Sequence, residues 1–448
     1  MRGVAFLTFM RALFPSLTTA ICLAGVAEGQ PVPIDPGGYL APPDAQVQLG
    51  RSLFYDPILS GNRSVSCASC HHPRTATGDG LSLGLGDGAH GIGAERVADP
   101  GNLPEQRIPR NAPALFNLGH EDVTAMFADG RIEVDATRPS GLRTPLEDEM
   151  VAGFDNLLSA QTMFPVLSPD EMAGHYQEND VAQAVRQGRL TGPGGAWDII
   201  AGRVAALPAY AQAFAEVDPG IAAGRAIDFT DISDAIAAFV AVEWRADDSP
   251  YDRALRGEGA MPPQARAGME LFFGEAGCGE CHGGPLLSDQ GYHAMGAPQL
   301  GPGKAERFEH HRRDTGRMRV TGRVEDAYAF RTPMLRNVTR TGPWGHAGSH
   351  DDLRAFLRDH ADPVRGLADY VPAVLLPEVA GLADDWAILD TPEDRAAIAD
   401  AVRTTPRPLS AGELDALMAF LAALEDETSL RGRLGIPGAV PSGLPVER

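Results

Sequence analysis

Two copies of Cys-x-x-Cys-His constrain this chain more than any other feature. They are "SVSCASCHHPRT" at residues 64–75, with Cys67, Cys70 and His71, and "EAGCGECHGGPL" at 275–286, with Cys278, Cys281 and His282. Three chemistries use paired cysteines at this spacing. A zinc site would draw the two pairs into one four-thiolate centre, but it leaves the adjacent histidines as coincidence, twice. A redox dithiol wants a βαβ setting that the surrounding sequence lacks. Covalent haem attachment uses every residue: two thioethers fix the porphyrin edge and the next histidine lies under the iron. On that reading His71 and His282 are proximal ligands. His72, one step further on, cannot face the same iron and is a bystander.

Cysteine arithmetic agrees. The chain has five cysteines. Cys22 falls in an N-terminal segment, residues 1–29, with Arg2 ahead of an apolar run that Arg11 interrupts and small residues at 24–27. This reads as an export signal, with a retained membrane anchor as the alternative. Its removal leaves only the four motif cysteines and none for a disulfide, and export suits covalent haem. No later run is long enough to span a bilayer. The formal charge of −22 excludes nucleic acid as a partner and fits attraction of a basic protein.

The 448 residues suffice for two or three domains, and 51 Gly with 36 Pro predict much loop. A proline-rich lead spans 30–46. An internal echo then divides the chain: Gly50/Leu53/Phe54 before the first motif and Gly268/Leu271/Phe272 before the second, each a short amphipathic helix delivering a ligand loop. The expected domains are 47–250 and 255–430, with a tail at 431–448. Helical periodicity recurs in "DISDAIAAFVAVEW", "DDLRAFLRDH" and "AGELDALMAFLAALE", the last with Ser410 as its cap. The expected fold class is mainly α: two cytochrome-c-like domains, each holding one covalently bound haem, with long loops and little strand. The Gly-rich segment 79–106 lacks the strand and helix of a phosphate loop and reads as a surface or active-site loop.

Two stretches are candidates for the opposite faces of the irons. In "GHAGSHDDLRAFLRDHADP", Ser349 with Asp352 signals a helix start and Pro363 a stop. Leu353, Phe356, Leu357 and His360 then share one face. On spacing alone His360 is either a core histidine bonded to a carbonyl or a sixth iron ligand. In "SAQTMFPVLSPDEMAGHY", Gln161, Pro165 and Glu171 lie in a segment suited to a buried wall. A carboxylate there can take a proton from peroxide and return it to the leaving oxygen, and an amide can orient the same molecule. A solvated loop carboxylate is the plainer reading of Glu171.

With these motifs, "RNAPALFN", "FADGR" and "FRTPMLRNVTRTGPWGHAGS", the chain resembles the bacterial diheme cytochrome c peroxidase and MauG family from about residue 47 to 362. The resemblance implies a periplasmic oxidoreductase with two c-type haems. The first haem is the site of peroxide chemistry, with Gln161 and Glu171 as the catalytic pair. The second passes electrons, with His360 where the family has Met or Tyr, a change that implies a lower potential. It also implies a calcium ion held by Asn111 and the carbonyls of Thr341 and Pro343, and family members are often dimers. Two departures stand out. Ala128 occupies the position of a Trp between the haems, so electrons need another group, with Phe127 and Trp344 as candidates. The loop histidine that closes the resting first haem aligns near Leu85, leaving His90 as a substitute or the site open. An insertion between Arg131 and Gln161 is expected to add loop. Two functions follow: reduction of hydrogen peroxide with electrons from a small cytochrome c or cupredoxin, or MauG-like oxidation of residues in a partner protein.

Overall fold

The computed structural model describes residues 29–150, 153–304, 309–382, 385–404 and 406–448. The expected export signal and Cys22 lie outside them. The framework is one helix crossing used twice. Helix α1 (Asp44–Phe54) crosses α3 (Phe229–Glu243), whose start is capped reciprocally by Asp228 and Asp231. At the crossing a Cβ on Gly50 would sit 1.7 Å from the Ala235 carbonyl oxygen, so only glycine lets the backbones meet. Just beyond, Phe54 packs its ring on Phe239 and Trp244 at 5.3 and 5.0 Å. Downstream, α4 (Pro263–Phe273) crosses α6 (Ala411–Ala422) in the same way. Gly268 meets the Ala416 carbonyl, with 1.9 Å left for a Cβ, and Phe272 packs on Phe420 at 5.1 Å. Ser410 caps α6 as the sequence suggests, its hydroxyl accepting from the Glu413 amide. The echo is therefore the imprint of a close backbone contact. Gly268→Ala should force the two helices apart and cost about 3 kcal/mol or more, read as a drop in thermal midpoint with haem content held equal.

The chain is mostly helical with little strand. Its strands are two or three residues long: β1 (Ala89–His90) pairs with β2 (Val97–Ala98), β3 (Ala125–Met126) with β4 (Ile132–Val134) and β5 (Leu142–Arg143), and β6 (Tyr292–His293) with β7 (Phe330–Arg331). The 131–161 insertion, expected as loop, supplies β4 and β5 and then the short helix α2 (Leu157–Thr162). One apolar core is built chiefly from residues 34–246 and a second from 251–424. No helix among the described residues is long and apolar enough to cross a membrane.

Residues 431–448, expected as a plain tail, fold back on the first core. The Glu243 carboxylate, 1% exposed, accepts the backbone N–H groups of Arg433, Leu434 and Gly435 at 3.0, 2.6 and 2.9 Å. Further on, Val440 is buried in that core and Ser442 donates to Asp56 at 2.6 Å. The chain then passes the first Cys-x-x-Cys-His motif, where Glu447 meets Ser69 and lies 3.9 Å from Arg96.

Candidate haem centres

Each motif is wound into a single 3-10 turn, Cys67–Ser69 and Cys278–Glu280, and each histidine amide then donates to the first cysteine's carbonyl at 2.9 Å. The ring orientations are set alike. His71 Nδ1 lies 2.8 Å from the Thr77 carbonyl and His282 Nδ1 lies 3.2 Å from that of Leu287. Both carbonyls belong to residues in the left-handed region, Thr77 at φ 66° and Leu287 at φ 54°. With Nδ1 donating to a carbonyl, each neutral ring presents Nε2 as its free lone pair, the arrangement that orients a metal-binding histidine. Burial holds both rings below the usual histidine range, which keeps them neutral. His72 is no ligand: it caps the next turn, its Nδ1 accepting from the Arg74 amide at 3.1 Å.

A second echo is brought out by the fold. Pro113-x-Leu115-x-Asn117 and Pro333-x-Leu335-x-Asn337 run past His71 and His282, with the prolyl carbonyls beside the rings. Both asparagines are left-handed, at φ 61° and 62°. Asn117 Oδ1 accepts from Ala246 N at 2.6 Å just after α3, and Asn337 Oδ1 from Asp426 N at 2.7 Å just after α6. Each half thus ties its proximal wall to the end of its crossing helix. The signal was in the sequence as a five-residue pattern too short to stand out alone.

His360 ends α5 (Leu353–His360), whose cap is Asp352, with its side chain accepting from Arg354 N at 3.0 Å. Ser349 is instead buried against His350. The apolar face of α5 packs as the spacing predicts: Leu353 is buried in the second core, and Phe356 and Leu357 lie against it with Cys278 and Trp344. His360 stacks on Phe356 and faces His282 with ring centroids 6.4 Å apart. That gap is too wide for a hydrogen bond. It matches two imidazoles sharing one metal atom, since each metal–nitrogen bond is about 2 Å. His360 is held at a pKa of about 4 by burial and by His282, so it too is neutral. No carbonyl accepts from it among the described residues.

The surroundings of the first motif differ from those of the second. Glu171 lies in a π-helical turn, Pro169–Ala173, gripped by two glycines. Gly61 donates to the Met172 carbonyl at 2.7 Å, and Gly86, at φ 51°, leaves a Cβ only 1.8 Å from the Asp170 carbonyl. Gly86 belongs to the Gly-rich loop, which proves to be a wall: Leu81, Leu83 and Leu85 are buried, and Arg96 donates to the carbonyls of Gly86 and Gly91 at 2.6 and 2.8 Å. Burial holds the Glu171 carboxyl above its usual range, against the pull of Arg131 and Lys304, and its charge is felt at Cys70. Lys304, missed in the sequence, is itself pushed down to about 8 by burial. Gln161 closes α2 with its amide making no hydrogen bond to the described residues. His90 points to solvent, 61% exposed and 2.9 Å from Asp99.

Other expected groups are placed as follows. Asn111 donates its backbone N–H to the His346 carbonyl at 2.9 Å and its side-chain amide to Leu81 at 2.7 Å, which brings it to the segment carrying Thr341 and Pro343. Phe127 lies under the Arg131 guanidinium at 3.6 Å, and Trp344 donates to the Val338 carbonyl at 2.8 Å. A stacked pair, Phe330 on His346 at 3.8 Å, adjoins Ala128, whose carbonyl accepts from Arg331 N.

The donor set fits haem and not the other two chemistries. The four motif cysteines are unpaired, and burial pushes Cys67 and Cys70 up to about 12 and Cys278 to about 11, far from the acidic thiol of a redox dithiol. They do not converge on one centre. Among the described residues only Cys281, Asp289 and His293 group closely enough for a metal ion, and Cys281 belongs to the second motif.

The two motif centres lie in unlike surroundings, and their donor sets fit a protein of the two-haem class. The pattern of the di-haem cytochrome c peroxidase family matches residues 44–260. The methylamine utilization protein MauG of Methylorubrum extorquens is 30% identical over 322 residues, 70% of this chain and 68% of that protein. The cytochrome c551 peroxidase of Pseudomonas aeruginosa is 28% identical over 312 residues, covering 69% and 70%. A crystal structure of a MauG-like protein associated with microbial copper homeostasis superposes with a TM-score of 0.56 at 25% identity, covering 90% of this chain and 95% of the other. The chain belongs to the di-haem cytochrome c peroxidase and MauG family, and with it to the oxidoreductases that act on peroxide.

Proposed function

We propose that this protein is a periplasmic peroxidase that reduces hydrogen peroxide to two waters with two electrons and two protons. The electrons come from a small redox protein, a cytochrome c or a cupredoxin. The observation that carries this reading is the asymmetry of the two centres. Two imidazoles, His282 and His360, oppose each other at the second, whereas the first has a half-buried carboxyl, Glu171, whose charge is felt at Cys70, and His90 turned away to solvent. Residues 47–250 and 255–430 form the two cytochrome-c-like domains. Cys67, Cys70 and His71 would hold one haem, and Cys278, Cys281, His282 and His360 would hold the other. When bound, the haems supply the electron storage and the Lewis-acid site that the side chains lack. Glu171 takes the peroxide proton and returns it to the departing oxygen, and Gln161 orients the molecule. Asn111, with the Thr341 and Pro343 carbonyls, would hold a calcium ion. The −22 charge draws in a basic donor.

The second reading is a MauG-like oxidase, which spends the oxidising equivalents of peroxide on residues of a partner protein. His360 in place of a thioether favours it, because two imidazoles lower the potential at which an electron can be stored. Steady-state turnover with peroxide and a reduced small cytochrome separates the two. The peroxidase reading expects sustained oxidation of the donor. No turnover after prior reduction, with a long-lived oxidised state after peroxide alone, would leave the oxidase reading.

A further inference from the structure

We propose that Arg331 is the anion-holding residue of the second centre and that its ligand is a carboxylate of the covalently held porphyrin. The proposal rests on the two-haem reading above. Arg331 ends β7, two residues before Pro333, whose carbonyl adjoins the His282 ring. Arg331 is half-buried, and burial presses its pKa down with only the Tyr292 phenol to oppose it. Its hydrogen bonds go to neutral acceptors alone: Nε to the Phe127 carbonyl at 3.2 Å, Nη1 to Gln290 Oε1 at 3.3 Å and to the Thr332 carbonyl at 3.4 Å. Five N–H groups are available, so the fork is incompletely used.

Other buried arginines each have a carboxylate within 4 Å, the most distant being Glu447 at 3.9 Å from Arg96. Arg336 has Asp252 at 2.5 Å, Arg107 has Asp385 at 2.9 Å, Arg110 has Asp314 at 2.7 Å, and Arg317 has Glu133 at 2.7 Å. Among the described residues no carboxylate lies within 4 Å of Arg331. The acidic groups on the elements packed around it are committed elsewhere: Asp129 to Arg110 and Arg131, Glu133 to Arg143 and Arg317, Asp289 to His293. Tyr292, its partner across β6, has its phenol pushed up to about 12 by burial and brings no charge near neutral pH. The remaining charges nearby, Arg131, Arg317 and His293, are cations or neutral. A buried cation without a counter-charge is strongly unfavourable, and a guanidinium fork matches a carboxylate in two parallel bonds. A porphyrin held through Cys278, Cys281 and His282 would bring such carboxylates.

The test is potentiometry of the holoprotein, following the low-spin centre by its own spectrum. Arg331→Gln removes a positive charge that favours reduction. The reduction equilibrium should shift about tenfold toward the oxidised form, about 59 mV for one electron. The potential should also fall with rising pH around neutrality, because the released carboxylate takes up a proton on reduction. Arg331→Lys keeps the charge and should leave the potential flat with pH. An unchanged, pH-independent potential in Arg331→Gln overturns the proposal. So does a wild-type potential that follows added phosphate at constant ionic strength, which would assign Arg331 to a soluble anion. If Arg331→Gln fails to load haem, redox-difference infrared spectra of wild-type protein carrying haem labelled at its carboxylate carbons decide. An ionised band in both redox states supports the pairing, and a protonated one overturns it. Fewer than two haems per wild-type chain would instead defeat the two-haem reading itself.

Discussion

Glu171→Gln should slow peroxide cleavage by about a hundredfold or more while both haems still load. The amide keeps the volume of the carboxyl but can neither accept the peroxide proton nor return it, and general acid–base assistance is typically worth 10²–10⁴-fold. A hundredfold corresponds to about 2.7 kcal/mol of barrier. Loading should survive because the turn that carries Glu171 is held by backbone contacts to Gly61 and Gly86 rather than by the carboxyl. Stopped-flow mixing with peroxide measures the step, and an unchanged rate removes Glu171 from the mechanism. The acid limb adds a second signature. Burial raises the Glu171 pKa, and Arg131 and Lys304 lower it. A base must be deprotonated to act, so activity is lost as pH falls through that pKa. Lys304→Met removes one opposing charge, and the limb should move to higher pH.

What was legible in the sequence is what leaves a local mark. Covalent attachment fixes cysteine and histidine within five residues, so both motifs stand out. The helix crossings stand out because backbone contact admits only Gly50 and Gly268, one helical turn before an aromatic anchor. His360 was half legible: its spacing put it on an apolar face, but only the fold brings that face 6.4 Å from His282. Contacts between remote segments left nothing to read. Glu243 looks like any glutamate at the end of a helix until three N–H groups of residues 433–435 converge on it. Arg96 sits in a Gly-rich run that resembles open loop, yet it is the buried post around which the loop winds. His90 failed in the other direction. It was near in sequence to the place a ligand was wanted, and the β1–β2 hairpin carries it to the surface against Asp99.

Replacing His360 should change the second centre and spare the first. His360→Ala removes one of two opposed nitrogen donors, so the low-spin signature of that centre is expected to disappear from optical and EPR spectra while haem content stays at two per chain. The helix should survive, because α5 is anchored through Leu353 and capped by Asp352, neither of which depends on the imidazole. His360→Met gives the complementary result: low spin is retained and the potential rises, since a thioether axial ligand favours the reduced iron more than an imidazole does. That rise bears on function as well as on ligation. If the low potential of two imidazoles is what tilts the protein toward oxidising a partner, His360→Met should gain turnover with a reduced small cytochrome. If donor turnover is already sustained in the wild type, the substitution should alter its rate without creating it. Spectra of His360→Ala indistinguishable from wild type would remove His360 from the iron and, with it, the asymmetry on which the assignment of the two centres depends.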